Sequence, residues 1–166
     1  VYLNMSEHVN KTFVAIKPDA VKRGLTVQII YTIEDKGLKI MGLRMVQATD
    51  QMLEEHYEEH VDKPFYSELE EYMKDGPIVA VAVEGVHAVE NMRKIIGNTD
   101  ASEAHPATIR GRFAHMSMDH ADEADSLYRN IIHASATEDE AEKELDIWFT
   151  EDQLHEYQNT FEQEVR

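Results

Sequence analysis

The sequence predicts an α+β fold, a four-stranded antiparallel sheet covered by helices in a ferredoxin-like, split βαβ order. Three observations carry this. Strand-like runs alternate with helical periodicity in the order β-α-β-(αα)-β-α-β-α. The run Ile78-Val-Ala-Val-Ala-Val-Glu-Gly85 is almost continuously apolar, the mark of a covered, central strand. The chain has 166 residues without an internal repeat or a linker-like stretch, which suits a single domain over 1–166 with one core.

Each element has its own signal. "TFVAIK" (12–17) is rich in β-branched and aromatic residues and stops at Pro18, so it reads as the first strand, preceded by an N-terminal extension, 1–11. From Ala20 to Lys36 the apolar positions Val21, Leu25, Ile29, Ile30 and Ile33 recur at helical spacing, closed by Gly37. Residues 38–48 alternate as a second strand. Asp50 is a candidate cap for the helix "QMLEEHYEEH", and Pro64 opens another that runs to Lys74. Residues 87–96 form a helix ending at Gly97, "NIIHAS" (130–135) is the fourth strand, and Thr137 with Glu140 makes a capping-box pattern for the last helix.

Composition narrows the class. Thirty-three Asp and Glu against 16 Lys and Arg give a net charge of −17, a field that repels nucleic-acid phosphates and predicts no nucleic-acid partner. The acids are spread along the chain as a solvated shell on helices; adaptation to high salt, where screening relieves their mutual repulsion, is one expectation from this pattern. No apolar run reaches the roughly 18 residues of a membrane span. Val1 to Ser6 lacks a basic segment followed by an apolar one, so no signal peptide is expected and a cytoplasmic location is. Without cysteine, disulfides, thiolate metal sites and thiol catalysis are excluded.

The chemistry gathers around a few residues. His133 follows two isoleucines and precedes Ala134-Ser135-Ala136, so an imidazole stands where a strand would bury an apolar side chain, with small neighbours around it. The ordinary reading of a lone histidine there is a satisfied core side chain. Neither of the common glycine-rich phosphate cradles occurs. Lys17 at a strand end, Arg93 on a helix and Arg110 in "HPATIRGRF" are cations retained in a very acidic chain, suited either to a triphosphate or to surface ion pairs. His56 and His60 lie at i, i+4, and His115 and His120 are close in sequence, which suggests zinc; but Tyr57 follows His56 where the metalloprotease pattern needs Glu.

"TFVAIKPDAVKRGL", "HYEEHVDKPFYSELEEYM", "GPIVAVAVEG", "TIRGRF" and "NIIHASATEDEAEKELDIWF" together resemble the nucleoside diphosphate kinase family from about residue 12 to about 157, in the manner of its acidic, archaeal-like members. The resemblance implies phosphoryl transfer from a nucleoside triphosphate to a nucleoside diphosphate in two steps through a phosphohistidine at His133. It implies that Glu144 orients that histidine and that Ser135 and Tyr57 support the site. Lys17, Arg93, Thr99 and Arg110 would hold phosphates, Asn130 the sugar 3′-hydroxyl, and Phe65 would stack on the base. Mg²⁺ would arrive on the nucleotide phosphates with no direct protein ligand, Glu59 reaching it through water. The family further implies a homo-oligomer, a hexamer before a dimer or tetramer.

The sequence departs from the family pattern at Ala107, Arg112 and Ala136, which stand where glycine and two aspartates are usual, and in an inserted segment, 113–129. Alanine at 107 is expected to alter the loop backbone, and the lost acids to remove ion pairs that place Arg110. A non-catalytic nucleotide sensor on the same fold is the alternative, but such a protein has no need of His133 or Glu144.

Overall fold

The computed structural model describes residues 6–160. Four antiparallel strands, β1 (Val9–Ile16), β2 (Lys39–Val46), β3 (Ile78–Val86) and β4 (Ile132–Ala134), lie in the order β2-β3-β1-β4. β1 pairs with both β3 and β4, and β3 with β2, so the first two strands run parallel with the third inserted between them. This is the ferredoxin-like order the sequence predicts, with the apolar run 78–86 in an inner position.

Strand alternation divides the core. Val14, Ile16, Val79, Val81 and Val83 meet Ile29 and Ile33 of α2 (Thr26–Asp35) and Met92 and Ile96 of α5 (Ala88–Ile96) on one face. Phe13, Ala15, Ala80 and Ala82 meet Leu53 of α3 (Asp50–His56), Met73 of α4 (Tyr66–Lys74) and Leu145 and Trp148 of α8 (Glu138–Trp148) on the other. Helices therefore cover both faces. The remaining helices are short: α1 (Pro18–Lys22), α6 (Ile109–Phe113) and α7 (Met118–Glu123).

Several boundaries differ from the sequence reading, each for a local reason. The single helix expected over 20–36 is two, α1 and α2, because Gly24 takes φ 71°, a left-handed conformation that ends the first helix. The strand expected to start at Thr12 starts at Val9, paired to Val86, so part of the 1–11 extension belongs to the sheet; residues 1–5 lie outside the described ones. Thr49, not Asp50, caps α3 by accepting from Met52 N–H. That helix stops at His56, and the chain to Tyr66 continues as tight turns closed by His60 N–H to Tyr57 O and Lys63 N–H to His60 O.

The fourth strand keeps only three residues of the six expected, because Ile131 stands at φ 61° and turns the chain just before the ladder. A β-branched residue there carries strain of about 1–3 kcal/mol. Thr137 does cap α8 at Glu140 N–H, but the Glu140 carboxylate reaches back to Ala136 N–H, one residue earlier than the capping box predicts. The segment 113–129, read from the sequence as an insertion, carries α7, capped by Ser117. Ala107 is not among the residues with a left-handed backbone.

Candidate active site

The β4 ladder sets His133 opposite Ala15, on the sheet face that packs against α3 and α8. Its ring is 23% exposed at a cleft also lined by His56, Tyr57, Glu59, Lys143 and Glu144. Glu144 lies on the buried stripe of α8 with Ala141, Leu145 and Trp148, since i, i+3, i+4 spacing repeats one helix face. From there its Oε1 meets His133 Nε2 at 2.8 Å, and its Oε2 accepts from the Ser135 hydroxyl at 2.6 Å. Burial would raise the Glu144 pKa, but the hydrogen bond and charge of His133, the proximity of His56 and the Ser135 hydroxyl outweigh it and lower the pKa. Glu144 is thus an ionised acceptor. An ionised carboxylate only accepts, so the His133 proton sits on Nε2 and the lone pair on Nδ1.

His56, which the sequence reading considered only for zinc, completes this network. Trp148 Nε1–H donates to His56 Nδ1 at 3.2 Å, and His56 Nε2 faces Glu144 Oε1 at 3.6 Å. Burial first, then the neighbouring His133, lowers the His56 pKa to about 3. A neutral imidazole that accepts at Nδ1 carries its hydrogen on Nε2. His56, His133 and Glu144 do offer ligand atoms within 4.8 Å of one another. In these tautomers both imidazole nitrogens turned toward Glu144 carry hydrogens, which an ion bound there would have to displace. His60 lies outside the trio, with its ring 6.4 Å from Tyr57 and 5.5 Å from Phe65. The one signal for His56 and Trp148 in the sequence was the i, i+4 relation of Glu144 to Trp148.

The candidate cations gather about β4 and the residues that lead into it. Lys17 Nζ donates to Asn130 Oδ1 at 2.7 Å and lies 5.3 Å from the Tyr72 ring centre. Burial, then Arg110, lowers the Lys17 pKa to about 8. Arg110 is buried, and its guanidinium donates to the carbonyls of Asn130, Gly97 and Ile132. Burial, then Arg93, lowers its pKa to about 10, which leaves it charged at neutral pH. Backbone carbonyls therefore hold Arg110 in place, with Arg112 standing where the family has an aspartate. Gly97, at φ 84°, would place a Cβ 2.4 Å from Thr108 Oγ1, so only glycine brings that carbonyl to Arg110. Arg93 donates to Ala134 O at 3.2 Å. Thr99 enters through its carbonyl, which accepts from Asn130 Nδ2 at 3.2 Å.

Two candidates stand apart from this cluster. Phe65 precedes α4 with its residue surface 48% exposed, and Glu59 lies on the cleft rim beside Glu58 and Lys143. Tyr57 is packed edge-on against His56 with ring centres 4.5 Å apart; burial, then Glu144, raises its pKa, which keeps the phenol neutral.

The sequence profile of a family described as nucleoside diphosphate kinase matches residues 10–154. A nucleoside diphosphate kinase of Pyrococcus furiosus is 44% identical over 149 residues, covering 90% of this chain and 88% of that protein. One from Saccharomyces cerevisiae is 40% identical over 155 residues, covering 93% and 95%. Among solved structures, a nucleoside diphosphate kinase of Borrelia burgdorferi, a transition-state mimic with bound vanadate and ADP, superposes with a TM-score of 0.90 at 32% identity, covering 96% of this chain and 98% of that one. A halophilic nucleoside diphosphate kinase of Halobacterium salinarum in complex with CDP superposes with a TM-score of 0.84 at 37% identity, covering 96% and 99%.

Proposed function

The chain belongs to the nucleoside diphosphate kinase family, and we propose on that premise that His133 Nδ1 is the atom that carries the phosphoryl group between nucleotides. The chain is a phosphotransferase acting between nucleoside triphosphates and diphosphates. The observation that carries the role of His133 is the 2.8 Å contact of its Nε2 with ionised Glu144. With the proton held on that side, Nδ1 presents a lone pair to the cleft. It attacks the γ-phosphorus of the triphosphate; the N–P bond forms, the bond to the β–γ bridging oxygen breaks, and the nucleoside diphosphate leaves with that electron pair. The positive charge developing on the ring is stabilised by Glu144, itself held by Ser135 and facing His56. A second diphosphate then takes the group by the same step in reverse.

Lys17, Arg93 and Arg110 supply positive charge for the phosphates, and their fixed positions make their contribution one of positioning and charge rather than of bond-making. Asn130, tied to Lys17, would hold the sugar hydroxyl, and Thr99 a phosphate. Phe65 offers an exposed ring for any base. Mg²⁺ prefers oxygen ligands and keeps several waters. The two-imidazole cluster does not suit it, whereas Glu59 on the rim does; the ion arrives on the nucleotide and neutralises phosphate charge there. Among the described residues no helix is long and apolar enough to cross a membrane.

A homo-oligomer is supported by the sheet edge. β2 is an outer strand with Leu43 and Met45 53% and 63% exposed, more apolar surface than an edge strand ordinarily leaves to water. A chain of net charge −17 associates against its own field, so assembly mass and thermal midpoint should both rise from dilute buffer to about molar salt, where the Debye length is about 3 Å. Light scattering and melts over that series check it; no change in either would mean that the acidic shell does not oppose assembly.

The test of the catalytic reading is intact-mass analysis after brief incubation with ATP and Mg²⁺. One added phosphoryl group, labile to acid and stable to base, is expected. An unmodified protein that still binds nucleotide would favour the sensor reading.

A further inference from the structure

We propose that Tyr128, at the end of the inserted segment, is a positioning residue that clamps the Thr99 loop and through it the nucleotide-binding side chain of Asn130. The proposal rests on the kinase reading above. The Tyr128 hydroxyl donates to Thr99 O at 2.6 Å and accepts from Ala101 N–H at 2.9 Å, so one phenol satisfies a donor and an acceptor of the same loop. The Thr99 carbonyl is also the acceptor for Asn130 Nδ2, whose other amide atom, Oδ1, accepts from Lys17 Nζ. The loop, the asparagine and the lysine are thereby joined in one chain of hydrogen bonds, and Tyr128 closes its outer end. The other end of the insertion is tied to the same loop: Met118 N–H donates to Asp100 Oδ2 at 3.0 Å, and Asp100 Oδ1 accepts from Ser102 N–H at 3.0 Å.

The chemistry suits the role. Burial, then the nearby Asp100, raises the Tyr128 pKa and keeps the phenol protonated, so it can donate and accept together. Ala101 is buried, so its N–H finds no ready replacement in water if the hydroxyl is removed. None of these contacts reaches His133 or Glu144. The groups affected are those that hold a nucleotide equally before and during transfer, and their loss appears in KM rather than kcat.

Tyr128→Phe keeps the ring and removes only the hydroxyl. Steady-state exchange should show KM for the nucleoside diphosphate raised about five- to tenfold, with kcat held within about twofold, as expected when one buried N–H is left unpaired. Equilibrium titration of the unphosphorylated enzyme with ADP and Mg²⁺ should show the same loss of affinity. An unchanged KM would overturn the proposal. So would parallel falls in kcat and in thermal midpoint, since these would mean that the phenol merely supports the fold. Wild-type enzyme that exchanged no phosphate at all would sink the kinase reading instead, and is measured first.

Discussion

The two walls of the cleft are built differently. On the wall of β4, α3 and α8, His133, Glu144, Ser135, His56 and Trp148 form a continuous network in which Glu144 engages both of its oxygens. On the wall formed by the turns from Tyr57 to Tyr66, two buried polar atoms, His60 Nδ1 and the Tyr66 hydroxyl, have no partner, and Phe65 stands half exposed. The first wall fixes one tautomer of one histidine. The second presents the half-exposed ring of Phe65. On the proposed mechanism the rigid wall is the one where the bond forms, and the looser wall is the one that meets the base.

The sharpest way to break this contrast is to remove the atom the first wall exists to orient. His133→Ala should leave nucleotide binding intact and abolish both the added phosphoryl mass and exchange, by about a thousandfold or more, because the neighbouring imidazole, His56, has its Nδ1 lone pair engaged by Trp148. Exchange near the wild-type rate in this variant would end the phosphohistidine mechanism.

Glu144→Gln comes next. An amide offers one acceptor and two hydrogens where the carboxylate offered acceptors to His133, Ser135 and His56. The tautomer is no longer imposed and the ring charge is no longer balanced. Loss of a charge-assisted hydrogen bond of about 1.5–3 kcal/mol predicts a fall in kcat of about 10- to 100-fold, with KM little changed. Rapid-quench measurement of the first half-reaction checks it; a variant as slow as His133→Ala would mean that Glu144 does more than orient.

How much of this was legible before the structure follows the same division. His133 stood out as an imidazole among apolar and small neighbours, whereas the roles of Glu144 and Ser135 were legible only through the resemblance of the stretch 130–149 to the kinase family. The order of the sheet was readable because each strand carried its own period. His56 and Trp148 were not, because a link between α3 and α8 is tertiary and leaves no mark in local spacing. The short fourth strand was missed because isoleucine gives no warning of a left-handed turn. The role of Tyr128 depends on a contact across 29 positions in sequence.

The phosphate groups give a pH signature on the boundary between the walls. Lys17 has a pKa of about 8 when folded against 10.5 ordinarily, lowered by burial and by Arg110. Above pH 8 the free enzyme loses that charge, and kcat/KM should fall about tenfold per pH unit, while Lys17→Met should show a lower plateau without that limb. Stability moves the other way. Between pH 8 and 10.5 the unfolded chain holds the proton and the native one does not, so the cost of burying charged Lys17 is present below pH 8 and is relieved as pH rises. Activity and thermal midpoint measured together over pH 7 to about 10 separate this lysine from general alkaline unfolding. A limb retained in Lys17→Met would assign it elsewhere.

The smallest effect should come from the loose wall. If Phe65 only lends a π-face, Phe65→Ala removes stacking of about 1–3 kcal/mol at most, and less from a ring already half open to water. KM should rise about fivefold, kcat should stay put, and purine and pyrimidine nucleotides should suffer in proportion to their stacking area. The wild-type enzyme should itself accept ATP, GTP and pyrimidine triphosphates within about an order of magnitude, or about 1.4 kcal/mol. A preference of several thousandfold for one base would require buried donors and acceptors aimed at its edge, and the two unpartnered atoms on this wall, His60 Nδ1 and Tyr66 Oη, would then be the first to examine. His60→Ala and Tyr66→Phe distinguish the cases. If the wall is merely apolar, both variants keep the same base tolerance as wild type; if either atom reads a base, its removal flattens the preference while leaving the His133 network untouched.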